Sequence, residues 1–365
     1  MNPPQFPPYR ADQVGSLLRP NALAEARAKF KKNEISSGEL KTLEDKSIKE
    51  AIRKQESVGL QAITDGEFRR DWWHLDFMTR LDGVTAVANP GPKFGGTEEQ
   101  PPIPSVTGKI GCSKPIMVND FVFLEQNTKQ TAKFTIPSPS MLHLRGGRSS
   151  ISKDMYPDLG AFWADTAAAY RKAIRHLADA GCTYLQLDDV SFSYLCDAKI
   201  QDTCRRNGDD PALLPRTYAN AITAALEDRP AGMTVTMHTC RGNFKSSWVA
   251  TGGYETVAEA MFSSAVDAFF MEFDSERAGG FEPLRYLPKG KKVVLGLMTT
   301  KTGVLESKDF LTGRIREAEK YVPLDDICLS PQCGFSSTHH GNNLTAEEQW
   351  RKLERIVEVA REVWR

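Results

Sequence analysis

The feature that most constrains this chain is a rhythm in its sequence. Short apolar runs, most of them ending in a polar or metal-type residue, alternate with helix-length amphipathic stretches through most of the 365 residues. The runs fall at 13–16, 62–66, 133–137, 184–188, 234–239, 268–273, 292–298 and 327–332. Most are rich in Val, Ile, Leu or Phe and suit parallel strands buried on both faces. Stretches at 159–180, 211–227, 254–264, 308–321 and 345–364 read as helices between them. Asp158 is placed to cap the first and Gly181 to end it, while Thr345-Ala346-Glu347-Glu348 carries a capping-box pattern.

Eight strands alternating with helices predict an α/β fold, a (β/α)8 TIM barrel forming one domain over 1–365. Residues 21–58 read as extra N-terminal helices, two or three in number, broken at Ser36-Ser37-Gly38. Residues 69–131, between the second and third strands, read as an insertion over the barrel mouth, with turns at Pro90-Gly91-Pro92 and Gly95-Gly96-Thr97. A doubly wound sheet is the alternative, because strand order is not written in a single sequence.

Charge narrows the function. With 47 Lys and Arg against 47 Asp and Glu, the chain lacks the basic footprint of a dedicated nucleic-acid or membrane-surface binder. A net charge of zero also lowers solubility, which a homo-oligomer would offset. No run of about 18 apolar residues spans a membrane. The opening Met1-Asn2-Pro3-Pro4-Gln5-Phe6-Pro7-Pro8 is neither a secretory signal nor a transit helix. Seven scattered cysteines, an odd number, then fit a cytoplasmic protein with reduced thiols or metal ligands.

In a barrel of this kind the carboxyl ends of the strands converge on one mouth, where active sites form. Here those ends carry Ser16, Asp65 and Glu67, Asp188 and Asp189, His238 and Cys240, Glu272 and Asp274, and Cys333. His238 and Cys240 are two residues apart on a strand, so their side chains leave the same face. Glu272 and Cys333 add a carboxylate and a second thiolate, completing a set compatible with tetrahedral zinc. Taken singly, each cysteine reads as a buried small hydrophobe and His238 as a hydrogen-bonded core histidine. Four such residues together at strand ends favour the metal. Glu67 and Asp188 have their own bland alternative, a structural ion pair or helix cap. Asp189 is left between a solvated carboxylate and a support for its neighbours. Trp72, Trp73 and His74 read equally as a wall of the mouth or as aromatic packing in a lid. His339 and His340 read as exposed. Cys112, Cys182, Cys196, Cys204 and Cys328 read as packing residues or unpaired surface thiols.

Five segments carry a family resemblance: Asp12-Gln13-Val14-Gly15-Ser16, Asp65-Gly66-Glu67-Phe68-Arg69-Arg70, Leu185-Gln186-Leu187-Asp188, Met237-His238-Thr239-Cys240 and Pro331-Gln332-Cys333-Gly334. In order, and over nearly the whole chain, they resemble the catalytic C-terminal barrel of the cobalamin-independent methionine synthase family, especially its short single-barrel homologues. The resemblance implies a zinc-dependent thiol S-methyltransferase, an enzyme of methionine biosynthesis that methylates homocysteine. The alternative is a zinc-dependent alkyl transferase using another thiol acceptor or an epoxide-type donor. His238, Cys240, Glu272 and Cys333 match the Zn2+ ligands. Ser16, Glu67 and Asp188 match positions that hold the amino-acid acceptor, the two carboxylates on its ammonium group and backbone near Ser16 on its carboxylate. One barrel leaves the methyl donor, methylfolate or a corrinoid, undecided.

A zinc ion with two thiolates and a carboxylate deprotonates a bound substrate thiol near neutral pH while leaving electron density on sulfur. That activated sulfur would attack the methyl carbon in line with its leaving group. Among the four ligands Glu272 is the natural one to weaken, because carboxylate binds zinc less softly than thiolate.

Overall fold

The computed structural model describes residues 6–89 and 101–364. Seven strands form one sheet: β1 (Ala62–Ile63), β4 (Thr131–Pro137), β5 (Tyr184–Asp189), β6 (Thr234–Thr239), β7 (Ala268–Glu272), β8 (Lys292–Met298) and β9 (Ile327–Pro331). A separate antiparallel pair, β2 (Asp82–Val87) and β3 (Ile103–Gly111), lies between β1 and β4 in the chain. The large sheet runs β1-β4-β5-β6-β7-β8-β9 and every pairing in it is parallel. Strand order therefore never reverses, and the doubly wound alternative, which requires a reversal point, is not what forms. From β4 to β9 nearly every strand residue is buried, as the unalternating apolar runs predict.

The expected first strand, 13–16, is not a strand. Its neighbour Ala11 makes a single parallel bridge to Leu329, and the Asp12 N–H reaches the Leu329 carbonyl at 3.0 Å. On the other side the Leu17 N–H donates to the Gly66 carbonyl at 3.1 Å. One strip of chain thus touches both edges of the sheet, β1 and β9, so the sheet is curled. Side chains replace the missing ladder. Gln13 donates to Gln55 and Thr64, and Lys133, fully buried, donates to Asp12 at 3.0 Å and to the Gln13 carbonyl. Gly15, at φ +147°, breaks the extended run.

The helices begin where caps allow. Asp158 accepts from the N–H groups of Gly160 and Ala161 and starts Leu159–Asp179, which ends before Gly181 at φ +101°. Capping boxes open Ser37–Val58 and Ala346–Val363, with Ser36 and Thr345 as caps. The stretch 254–264 shortens to a 3₁₀ turn, Tyr254–Thr256, and one short helix, Ala258–Phe262. The first-half helices are Asn21–Lys31 and Ser37–Val58. Within 69–131 stand the β2–β3 hairpin, a short helix Leu75–Met78 and a longer one, Val118–Asn127. The turns expected at Pro90-Gly91-Pro92 and Gly95-Gly96-Thr97 lie outside the described residues. Among the described residues no helix is long and apolar enough to cross a membrane.

Candidate functional site

Three strands deliver four ligand-type atoms to one place. His238 is in β6 and Cys240 one residue past its end, where the Cys240 N–H still bonds the Asp189 carbonyl at 2.7 Å. Glu272 is the last residue of β7, and Cys333 follows β9 by two residues. One ligand atom from each lies within 4.8 Å of all the others, and all four residues are buried. The two sulfurs are 3.4 Å apart. Both ring nitrogens of His238 are buried and lack a hydrogen-bond partner. Zinc bonds of about 2.0–2.3 Å in a tetrahedron separate ligand atoms by about 3.3–3.8 Å. The donor set therefore fits a metal ion, which would also satisfy the orphaned imidazole.

Glu272 is held from both sides. Gln332 Nε2 donates to its Oε1 at 3.2 Å, and Arg277 pairs with its Oε2 at 3.3 Å. Gln332 is itself fixed, its Oε1 accepting from the Thr300 N–H at 2.8 Å and hydroxyl at 2.7 Å. Burial raises the Glu272 carboxyl. A hydrogen bond between the two sulfurs lowers Cys333 well below its ordinary value and raises Cys240.

Glu67 sits in the tight turn after β1, where Gly66 has φ +66° and Glu67 itself φ +60°. A non-glycine residue there costs of the order of 1–3 kcal/mol, and such strain concentrates at functional sites. Asp65 accepts from the Glu67 N–H at 2.8 Å and secures the turn. Thr135 donates to Glu67 Oε1 at 3.0 Å, while Oε2 is buried with no partner. Asp188, in β5, accepts from Gln186 Nε2 at 2.7 Å. Burial, then the Glu67 charge, pushes its carboxyl up to about 7. Burial raises Glu67 as well. Arg70 lies 3.8 Å from Glu67 Oε1. Glu67 thus has one cation at the edge of ion-pair range, while Asp188 makes no ion pair among the described residues.

Ser16 joins the same place through the loop after Cys333. Its hydroxyl accepts from the Ser336 N–H at 3.3 Å, and a Cβ on Gly334 would lie 2.0 Å from that oxygen. Only glycine allows so close an approach. Asp189 is not solvated: fully buried, it accepts from the N–H groups of Ser191 and Phe192 and from the Ser140 hydroxyl. His339 and His340 are not exposed either. Half-buried, they pack on Trp72 and Phe244, with ring centroids 5.5 Å apart for Trp72–His339 and 4.9 Å for Phe244–His340. All seven cysteines are free, and Cys112, Cys182, Cys204 and Cys328 pack in the interior with Cys196 half-buried.

A pocket opens beside the cluster. Ser16, Glu67, Asp188, His238, Cys240 and Cys333 all line it, whereas Glu272 is not part of its wall. Trp72, Trp73 and His74 wall it together with Pro101, just before β3. Sequence reasoning does not find the supports Gln332, Thr300, Arg277 and Thr135, nor Arg145 and Tyr194 in the wall. Gln332 alone carried a signal, its place beside Cys333.

The model of the cobalamin-independent synthase catalytic domain matches residues 10–362. The uncharacterized proteins YxjH and YxjG of Bacillus subtilis (strain 168) are 44% and 45% identical, each over 98% of this chain and 95% and 96% of their own. A 5-methyltetrahydropteroyltriglutamate–homocysteine methyltransferase from Thermotoga petrophila is 21% identical over 98% of this chain, which spans only 45% of that protein. Among solved structures, a candidate vitamin-B12 independent methionine synthase from Listeria monocytogenes superposes with a TM-score of 0.81 at 40% identity, covering 99% of this chain and 100% of that one. A B12-independent methionine synthase from Shewanella sp. W3-18-1, in complex with selenomethionine, superposes at 0.72 with 20% identity and 97% coverage of both chains.

Proposed function

The chain belongs to the catalytic-domain family of the cobalamin-independent methionine synthases, and from that premise we propose that it is a zinc-dependent methyltransferase acting on a thiol, that of homocysteine. The family points to methyl transfer of the methionine-synthase type. The observation that carries the finer reading is the joining of two features in one cavity. A buried His-Cys-Glu-Cys cluster stands beside two buried carboxyl groups, Glu67 with one unpartnered oxygen and Asp188 without an ion pair among the described residues.

In this reading His238, Cys240, Glu272 and Cys333 hold the zinc. When bound, the ion supplies Lewis acidity that keeps a substrate thiol deprotonated yet nucleophilic. The remaining work falls to the chain. Glu67, with Oε2 unpartnered, and Asp188 take the acceptor's ammonium group, whose charge offsets the repulsion between them. Ser16 and the backbone around it meet the acceptor's carboxylate. Gln332 and Arg277 orient Glu272, the one cluster member outside the cavity wall, which leaves the histidine and cysteine side open to the incoming sulfur. Trp72, Trp73 and His74 shield the sulfur from water. The selenomethionine bound to the Shewanella relative is a product-like amino acid, in keeping with such an acceptor site.

We read the fold in the same terms. The chain is one catalytic (β/α)8 barrel, its first strand reduced to the strip around Ala11, and 69–131 is an insertion whose Pro101 reaches the mouth. The test is a donor panel of methylfolates, methylcobalamin and S-methyl compounds offered with homocysteine to zinc-loaded protein, with methionine detected by mass spectrometry. Methionine formed from one donor, and lost on removal of the metal, supports the reading. Equal activity in metal-free protein overturns it.

A further inference from the structure

The cavity wall holds polar groups that the acceptor leaves unused. Arg145 is the one Arg or Lys among its lining residues, which also include Glu67, Asp188 and Asp189. Yet among the described residues it makes no ion pair with any of them, and its buried Nε has no partner. The cation is therefore beyond ion-pair distance of those carboxylates. His74 is 1% exposed, and neither ring nitrogen makes a well-aligned hydrogen bond, the Pro102 backbone being a polar neighbour. Tyr194, 7% exposed, presents a hydroxyl that is likewise unpartnered. Buried polar atoms left without partners in one pocket, Tyr194 Oη and Arg145 Nε among them, are costly unless a ligand or water satisfies them.

Their surroundings narrow the ligand. Tyr194 lines the same pocket as Arg145, Cys240 and Cys333, near enough to the cation and to the cluster for both to act on its phenol. The ring of His74 packs on that of Trp73 with centroids 4.8 Å apart, and Trp72 and Pro101 complete an apolar wall beside it. A guanidinium fork pairs best with a carboxylate or phosphate, and flat aromatic walls suit a planar body.

We propose that Arg145, His74 and Tyr194 form a second subsite of the cavity, which binds the methyl donor through an anionic group that pairs with Arg145. The assignment rests on the methyltransferase reading above. That reading places the acceptor's ammonium on Glu67 and Asp188 and its sulfur at the cluster, which leaves this region for the second substrate. Tyr194 and His74 supply hydrogen bonds to polar atoms of the donor between its anion and its methyl group.

The test is calorimetric titration of zinc-loaded, full-length protein with three probes taken separately. They are 5-methyltetrahydropteroylmonoglutamate as a carboxylate-bearing donor, inorganic phosphate, and homocysteine. Wild type binds one of the two anionic probes, and which one binds identifies carboxylate or phosphate as the group recognised. Arg145→Met weakens that probe about ten- to a hundred-fold, the worth of a charge-assisted pair, and Arg145→Lys weakens it less. Tyr194→Phe, which removes one oxygen, weakens it up to about ten-fold. Homocysteine binding stays unchanged in all three variants, as does the thermal midpoint, which shows that they fold. Wild type that binds neither anion overturns the proposal, as does an Arg145→Met variant that binds as tightly as wild type. A parallel loss of homocysteine affinity in Arg145→Met also overturns it, by assigning Arg145 to the acceptor's carboxylate. Failure of homocysteine to bind wild type strikes the acceptor reading instead, while the anion titrations still decide the subsite.

Discussion

Asp188→Asn offers a prediction in which stability and function move in opposite directions. In the metal-free protein the Asp188 carboxyl is raised from 3.8 to about 7, by burial first and the nearby Glu67 charge second. The folded state therefore holds that proton more tightly than the unfolded chain. The stability this contributes is complete below about pH 4 and is lost as pH rises through about 7. At about 1.4 kcal/mol per pH unit, the gap corresponds to about 4 kcal/mol of ionisation cost at neutral pH and above. Asparagine keeps an oxygen to accept from Gln186 Nε2 and never ionises. Urea unfolding of metal-free wild type and variant at pH 5 to 8 should show the variant gaining on wild type. The gain grows by about 2–3 kcal/mol between pH 5 and pH 7 and then levels off. The same variant should lose homocysteine binding, because one of the two ammonium partners has lost its charge. A stability difference that does not change with pH would refute the electrostatic reasoning. So would undiminished homocysteine affinity.

Other variants probe the remaining parts. Cys240→Ser and Cys333→Ser should each reduce bound zinc from about one per chain to a small fraction after dialysis, measured by elemental analysis, because each removes one of four ligands. Arg277→Met leaves Glu272 Oε2 without its partner at 3.3 Å, and chelator competition should show about a ten-fold loss of zinc affinity. Lys133→Met strands the fully buried Asp12 carboxylate 3.0 Å away, and should cost about 3–5 kcal/mol in urea unfolding.

The strands from β4 to β9 were legible because burial on both faces writes itself as an uninterrupted apolar run, and a parallel ladder needs nothing else. The first strand failed for the opposite reason. Asp12 and Gln13 are buried polar residues whose side chains, with Lys133, do the joining that a backbone ladder would do, and Gly15 turns the chain. Run 62–66 shortened to Ala62–Ile63 because Gly66 and Glu67 take positive φ, which a strand excludes. The cluster was readable because its four residues stand at or just past strand ends, where local spacing fixes their direction. Gln332, Arg277, Arg145 and Tyr194 were not, since loops and short helices set where they point, and no periodicity encodes a loop. His339 and His340 show the same limit. A polar loop composition suggested exposure, whereas contacts with Trp72 and Phe244, distant in sequence, half-bury both rings.

The central claim is a metal centre that takes the acceptor's sulfur, and zinc-edge X-ray absorption of the loaded protein tests it most directly. Cys240 and Cys333 predict two sulfur neighbours around the ion in the free protein. Saturating homocysteine should raise that number to three. A sulfur count that homocysteine leaves unchanged, or a protein that holds no zinc, would contradict the account.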